Sequence, residues 1–189
     1  MMVSGAVLVN KILLTGRPGV GKTTVVRRVL ERMRGVAGGF LTEEIRRQGR
    51  RLGFLVTDIR TGQTGTLAHV KRKGGPRVGK YVVDVAEFER IGVAALREAL
   101  KRPGSIVIDE MGKMELSCPA FAEAVLQVLD SGHPVLATVP VFRHPFIDAL
   151  RRRDDLRLIT VTAENRGGLP DEIVRFFSEG VGPETDEAV

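Results

Sequence analysis

Eight residues near the start of the chain, Gly16-Arg17-Pro18-Gly19-Val20-Gly21-Lys22-Thr23, constrain the fold more than any other segment. They meet every fixed position of the pattern G-x-x-x-x-G-K-[ST]. The pattern is short, so its neighbours decide what it means. Before it stand Val7-Leu8-Val9 and Ile12-Leu13-Leu14, which read together as a buried first strand. After it, Val25, Val26, Val29, Leu30 and Met33 recur at helical spacing, predicting a helix from Lys22 to about Arg34. Strand, glycine-bearing loop and helix in succession make a cradle for an anion. Gly16, Gly19 and Gly21 let the loop turn its own N–H groups inward, and the helix adds those of its first turn. Lys22 supplies a point charge for β- and γ-phosphates, and the Thr23 hydroxyl suits Mg²⁺. A plain glycine turn would need neither. The predicted nucleotide-binding segment is Gly16, Arg17, Pro18, Gly19, Val20, Gly21, Lys22, Thr23 and Thr24.

A second feature supports the first. Ser105-Ile106-Val107-Ile108 is an apolar strand that ends in Asp109-Glu110. A carboxylate at such a strand end can hold Mg²⁺, which is the role expected of Asp109, and its neighbour can orient an attacking water, which is the role expected of Glu110. Successive residues of an extended strand point in opposite directions, so the two acids can serve separate tasks. Lys113, shortly after, is a candidate second charge beside the phosphates, although a surface lysine would read the same way. Met111 and Met114 suit core filling.

The rest of the chain alternates short apolar runs with amphipathic stretches, the mark of βα units. Residues 36–84 differ. Short strands around Phe40 and Ile45, Leu52 to Val56 and Val78 to Val83 are separated by Gln48-Gly49-Arg50 and Thr61-Gly62-Gln63, which suggests antiparallel hairpins. Lys71 to Arg77 reads as a basic, mobile loop. Asp84 and Glu87 suggest a capping box for a helix whose apolar stripe runs from Phe88 to Leu100. Helices are expected after Pro119, over Phe146 to Arg152 and over Pro170 to Phe177, with strands at Val135 to Val139 and Leu156 to Val161. One domain over residues 1–178 and an acidic, frayed tail over residues 179–189 complete the expected organisation.

Composition excludes several alternatives. No run approaches the ~20 apolar residues that span a bilayer. The single cysteine, Cys118, allows no internal disulfide, so a cytoplasmic location is expected. His69, His133 and His144 have no metal-ligand spacing. Net charge is +6, and +10 without the four acids of the tail, which suits an anionic ligand without choosing among nucleotide, nucleic acid and acidic surface.

Several blocks occur in an order that resembles a known family: Gly16 to Thr23, Gly39 to Arg46, Val78 to Asp84, Asp109-Glu110-Met111-Gly112-Lys113-Met114-Glu115, and Asn165-Arg166. Over residues 10–178 the chain is similar to the small P-loop nucleoside-triphosphatases of archaea, thermophilic bacteria and animals. The resemblance implies an α/β, three-layer P-loop NTPase sandwich. Its mixed sheet would have a mainly parallel core and antiparallel hairpin strands. It also implies slow, Mg²⁺-dependent hydrolysis of several nucleoside triphosphates by a monomer with no membrane partner. Met111, Leu41 and Gly167-Gly168 depart from the pattern usual in that family.

Weaker candidates remain. Asn165 and Arg166 follow the last strand, where P-loop proteins often contact a base. Thr42-Glu43-Glu44 is either part of the site or a polar sheet edge. Arg17, Arg46, Arg143 and Arg166 are candidates to neutralise transition-state charge. Two other functions fit the same phosphate loop. One is a small kinase acting on a nucleoside, nucleotide or polynucleotide end, with Arg151-Arg152-Arg153 or the Lys71 to Arg77 loop as a lid. The other, less favoured, is a nucleotide-dependent nucleic-acid binder.

Overall fold

The computed structural model describes residues 10–180. Val7-Leu8-Val9 of the expected first strand lie outside the described residues, as does all of the acidic tail beyond Gly180. The described chain builds one nine-stranded sheet between helices. Five strands form its parallel core, in the order β2 (Val36–Arg47), β7 (Ser105–Asp109), β8 (Val135–Thr138), β1 (Lys11–Thr15) and β9 (Leu156–Thr160). Beyond β2 the sheet continues antiparallel through β3 (Arg50–Asp58), β4 (Thr64–His69), β6 (Tyr81–Val83) and β5 (Arg77–Val78). The mixed sheet expected from the sequence is the one found.

Strand side chains alternate between faces, so wholly apolar strands need cover on both. Leu13 of β1, Ile106 and Ile108 of β7, and Val135 and Ala137 of β8 face one layer. That layer comprises α2 (Val85–Phe88), a π-helical stretch (Glu89–Val93), α3 (Ala94–Ala99), α4 (Pro119–Asp130) and α5 (Pro145–Leu150). Ile12, Leu14, Val107 and Leu136 face the other, formed by α1 (Lys22–Arg32) and α6 (Leu169–Gly180). Phe40, Phe88 and Phe121 pack edge to face in the first layer, with centroids 5.2–5.8 Å apart. Each such pair adds about 0.5–1.5 kcal/mol beyond its buried area. Gly39 brings β2 against β7 with φ of 118°, and a Cβ there would collide with the Val107 carbonyl oxygen.

Three local expectations need correction, and one strand was not foreseen. The segment Thr64–His69, to which the sequence pattern assigned no element, is a strand, β4, held between β3 and β6. Val78 to Val83 is not one strand but the tight hairpin of β5 and β6. The capping box is half made: the Glu87 N–H donates to Asp84 Oδ1 at 3.1 Å, but the Glu87 carboxylate turns to Arg90 instead of back to the cap. The Lys71 to Arg77 loop is tied down, by an Arg72–Asp84 ion pair and by the Val83 N–H donating to the Pro76 carbonyl. Cys118 is buried at the entry of α4, before Pro119, as its small size suggested. The histidines hold turns: His144 accepts from the Phe146 N–H, and His69 accepts from the Lys71 N–H. Among the described residues no helix is long and apolar enough to cross a membrane.

Candidate active site

The carboxyl ends of the parallel strands are where an open α/β sheet leaves a crevice for ligands, and the expected segments converge there. Thr15 ends β1, the loop Gly16 to Gly21 turns, and Lys22 opens α1. Gly16, Gly19 and Gly21 take φ of 150°, 76° and 112°, as a loop with inward N–H groups requires. A Cβ at Gly16 would lie 2.8 Å from the Val161 carbonyl oxygen, so the loop is seated directly on the end of β9. Lys22 is buried, and its Nζ donates to the Gly16 carbonyl at 3.2 Å. It lies 3.4 Å from Glu110 Oε2. The ammonium therefore bridges the phosphate loop and the acidic strand end.

Asp109 ends β7 fully buried. Its Oδ1 accepts from the Thr138 hydroxyl at 2.6 Å, while Oδ2 has no hydrogen-bond partner among the described residues. Burial raises the Asp109 pKa, against the opposing pull of Thr138, Thr23 and Lys22. A buried carboxylate oxygen without a partner is costly, so a further partner is called for. Mg²⁺ with its water shell fits that need. Its protein contacts would come from the Thr23 hydroxyl and, through water, from Asp109. Among the described residues no group of three or more His, Cys, Asp or Glu could hold an ion alone. Mg²⁺ suits such a sparse site, because it keeps several waters and takes substrate phosphates as ligands.

Glu110 sits one residue further on, with its side chain 31% exposed. Burial raises its pKa, Lys22 lowers it and Asp109 raises it again. Glu115 is buried deeper, and its Oε2 accepts from the Gly112 N–H at 3.0 Å. Burial pushes its pKa up to about 8, so near neutral pH its carboxyl is mostly protonated. Both line a cavity of about 750 Å³ that opens beside the phosphate loop. Pro18, Gly19, Gly21, Lys22, Thr23 and Thr24 form one side of it. The β2–β3 hairpin forms another through Thr42, Glu43, Glu44, Arg46, Arg51 and Phe54, and Lys113 and Phe142 close a third. Thr42-Glu43-Glu44 thus belongs to the cavity rather than to a plain sheet edge. Lys113 is exposed, with Nζ 4.7 Å from the Phe142 ring centroid.

Other candidates lie elsewhere. Arg17 is exposed on the loop and Arg143 pairs with Asp148; neither lines the cavity. Asn165 closes the turn after β9. Its Oδ1 accepts from the Thr162 N–H and its Nδ2 donates to the Thr160 carbonyl, both at 2.8 Å, so its amide is engaged in the turn itself. Arg166 donates to the Val20 carbonyl at 3.1 Å and lies beside Gly21, bracing the phosphate loop from outside the cavity. Sequence reasoning passed over Thr138, Glu115, Arg51 and Phe142. Thr138 did carry a signal, as the one polar residue in the run Val135-Leu136-Ala137-Thr138-Val139.

Comparison with known proteins bears out the family resemblance. The family model described as NTPase matches residues 11–174. The nucleoside-triphosphatase THEP1 of Thermofilum pendens is 50% identical over 172 residues, covering 88% of this chain and 94% of its own. That of Methanosarcina acetivorans is 45% identical, covering 91% and 99%. The crystal structure of THEP1 from the hyperthermophile Aquifex aeolicus superposes with a TM-score of 0.79 at 37% identity, over 88% of this chain and 98% of that one. The solution structure of a human cancer-related nucleoside triphosphatase gives 0.77 at 38% identity, over 92% and 100%. With the phosphate loop, the acidic strand end and these relatives in agreement, the chain belongs to this NTPase family.

Proposed function

We propose that the protein hydrolyses nucleoside triphosphates to the diphosphate and phosphate, with Mg²⁺. One observation carries this reading: the buried Lys22 ammonium is shared between the phosphate loop, at Gly16, and a carboxylate, Glu110, at the end of the neighbouring acidic strand. A triphosphate in the loop would take over the Lys22 charge and leave Glu110 beside the γ-phosphate. When bound, Mg²⁺ would supply charge to the β- and γ-phosphate oxygens. The chain does the rest. Loop amides and Lys22 hold the phosphates in line, Thr23 and Asp109 hold the metal with its waters, and Thr138 fixes the Asp109 carboxylate. Glu110 positions water behind the γ-phosphate and accepts its proton. Lys113 adds charge from the cavity wall.

The raised Glu110 pKa has a sign that matters. A base works only when ionised, so activity falls as pH drops through its pKa, and a raised value places that fall at higher pH than for an ordinary carboxylate. Broad base preference is what the family resemblance implies.

The test is phosphate release from ATP, GTP, CTP and UTP, with and without Mg²⁺. Turnover of all four is expected, dependent on the metal. Lys22→Ala should lower it by about 10²–10³, the loss typical of one preorganised charge on a developing anion. Unchanged turnover in Lys22→Ala would remove the reading.

A further inference from the structure

The tip of the β2–β3 hairpin reads Arg46-Arg47-Gln48-Gly49-Arg50-Arg51, four arginines in six residues. Pairing sets them against each other, Arg46 opposite Arg51 and Arg47 opposite Arg50. Like charges directly opposite on an antiparallel ribbon are destabilising. Glu44 offsets one pair, since it binds both Arg46 and Arg51. Arg47 and Arg50 are exposed and have no ion-pair partner among the described residues. The sheet brings further cations to the same end. The Val70 N–H donates to the Leu52 carbonyl, so the loop after β4 starts beside Arg51. Its Lys71, Lys73 and Arg77 are exposed and likewise unpaired among the described residues, while Arg72 is held by Asp84. His69 of β4 lies opposite Val82 of β6, which sets the β5–β6 turn, with Lys80, at this end too. The two aromatic rings there are already covered. Phe54 and Tyr81 pack edge to face at 5.2 Å, with Arg51 over one and Lys80 over the other.

From this arrangement we propose that the basic end of the sheet binds the phosphodiester backbone of a double-helical nucleic acid, without reading its sequence. Arginine forks match phosphate oxygens, and arginine makes up the whole charge of the ribbon tip. Phosphates set against the ribbon relieve the repulsion between its facing arginines. A two-stranded ribbon is also a shape that a duplex groove admits. A single strand would need open aromatic faces on which to stack its bases, and here each ring carries a cation over it. An anionic membrane would match the charge, but a membrane-seated patch buries apolar side chains as well. The large apolar side chains that are exposed, Leu126, Val141 and Leu158, lie elsewhere in the chain. The surface does not depend on the hydrolase reading. Arg47 and Arg50 do not line the cavity, whereas Arg46 and Arg51 do, so a bound helix would run past the mouth of the nucleotide site.

The test uses the full chain without nucleotide and a fluorescently labelled duplex of about two helical turns, made once as DNA and once as RNA, with anisotropy as the readout. A single strand of the same length and vesicles of phosphatidylserine with phosphatidylcholine are the rival probes. Saturable binding to at least one duplex is expected, tighter than to either rival, and the two duplexes show which helix is preferred. The logarithm of the affinity should fall with the logarithm of salt with a slope of about −4 to −6, as for about four to six phosphate contacts. Arg47→Ala combined with Arg50→Ala should weaken duplex binding about ten- to hundredfold and make that slope shallower by about 2. Arg28→Ala combined with Arg102→Ala removes the same charge from exposed sites elsewhere and should change the affinity little. Matching thermal melts and far-UV circular dichroism show that both double variants fold. No duplex binding at low salt, an equal loss in the two double variants, or tighter binding to the single strand or the vesicles would overturn the proposal. Because binding is scored without nucleotide, none of these results bears on the hydrolase reading, and failure of GTP hydrolysis would not bear on this one.

Discussion

The two sides of the cavity are built in different ways. On the phosphate side, each chemical group comes from a short contiguous stretch at the end of a parallel strand: Gly16 to Thr24 after β1, and Asp109-Glu110 at the end of β7. On the hairpin side, Arg46 and Arg51 flank the turn between β2 and β3, Phe54 lies further along β3, and Phe142 follows β8 on a separate loop. The phosphate side is buried and tightly held, with Lys22 and Asp109 almost without exposure. The hairpin side is half open, and its ion pairs are of the exposed kind that contribute about 0–1 kcal/mol. The groups proposed to hold the triphosphate thus sit on the buried side, and the hairpin side presents charged groups that are tied only to one another.

Substitutions on the phosphate side should show how much depends on its buried groups. Glu110→Gln has the largest expected effect, a fall in kcat of about 10²–10⁴ with nucleotide affinity retained. Single-turnover phosphate release together with binding of a non-hydrolysable analogue checks it, and wild-type turnover in that variant would remove the assigned base. Thr138→Val should come next. It deprives Asp109 Oδ1 of its hydroxyl donor and should raise the Mg²⁺ concentration needed for half-maximal activity by about 10–100-fold. A Mg²⁺ titration reads that directly, and an unaltered midpoint would mean that Asp109 needs no such support.

Glu115 gives the smallest effect, one of stability rather than rate. Its folded pKa, about 8, lies above its ordinary value of 4.5. Between those values the unfolded chain loses the proton while the folded chain keeps it. The contribution of Glu115 to stability is therefore complete below about pH 4.5 and declines as pH rises towards 8. Glu115→Gln keeps an oxygen for the Gly112 N–H and removes the titration. Its Tm should exceed that of the wild type by more at pH 8 than at pH 5, in paired thermal melts. Parallel profiles would show that the buried carboxyl is not protonated in the fold.

This asymmetry also governs how much could be read from the sequence. The phosphate loop, Asp109 and Glu110 were legible because residue type, spacing and flanking periodicity lie within a few positions of one another. The parallel core was legible for the same reason, through the apolar runs of β1, β7 and β8. The strand β4 was not. Thr64 to His69 buries only Leu67 and Ala68 well, and its strand form comes from pairing with β3 and β6 rather than from its own alternation. The cavity wall was hidden in the same way, since nothing local links Arg51 and Phe54 to Phe142. Asn165 shows the converse limit. Its position after the last strand suggested a base contact, but the turn there uses its amide.

The central claim is that the phosphate loop and the acidic strand end together grip a triphosphate whose γ-phosphate faces the cavity. A crystal structure with Mg²⁺ and a non-hydrolysable ATP analogue tests it most directly. The account predicts phosphates wrapped by Gly16 to Thr23, the metal between Thr23 and the Asp109 side, and Glu110 facing the γ-phosphate with the cavity open beyond it. An analogue bound elsewhere, or bound with its γ-phosphate turned away from Glu110, would contradict it.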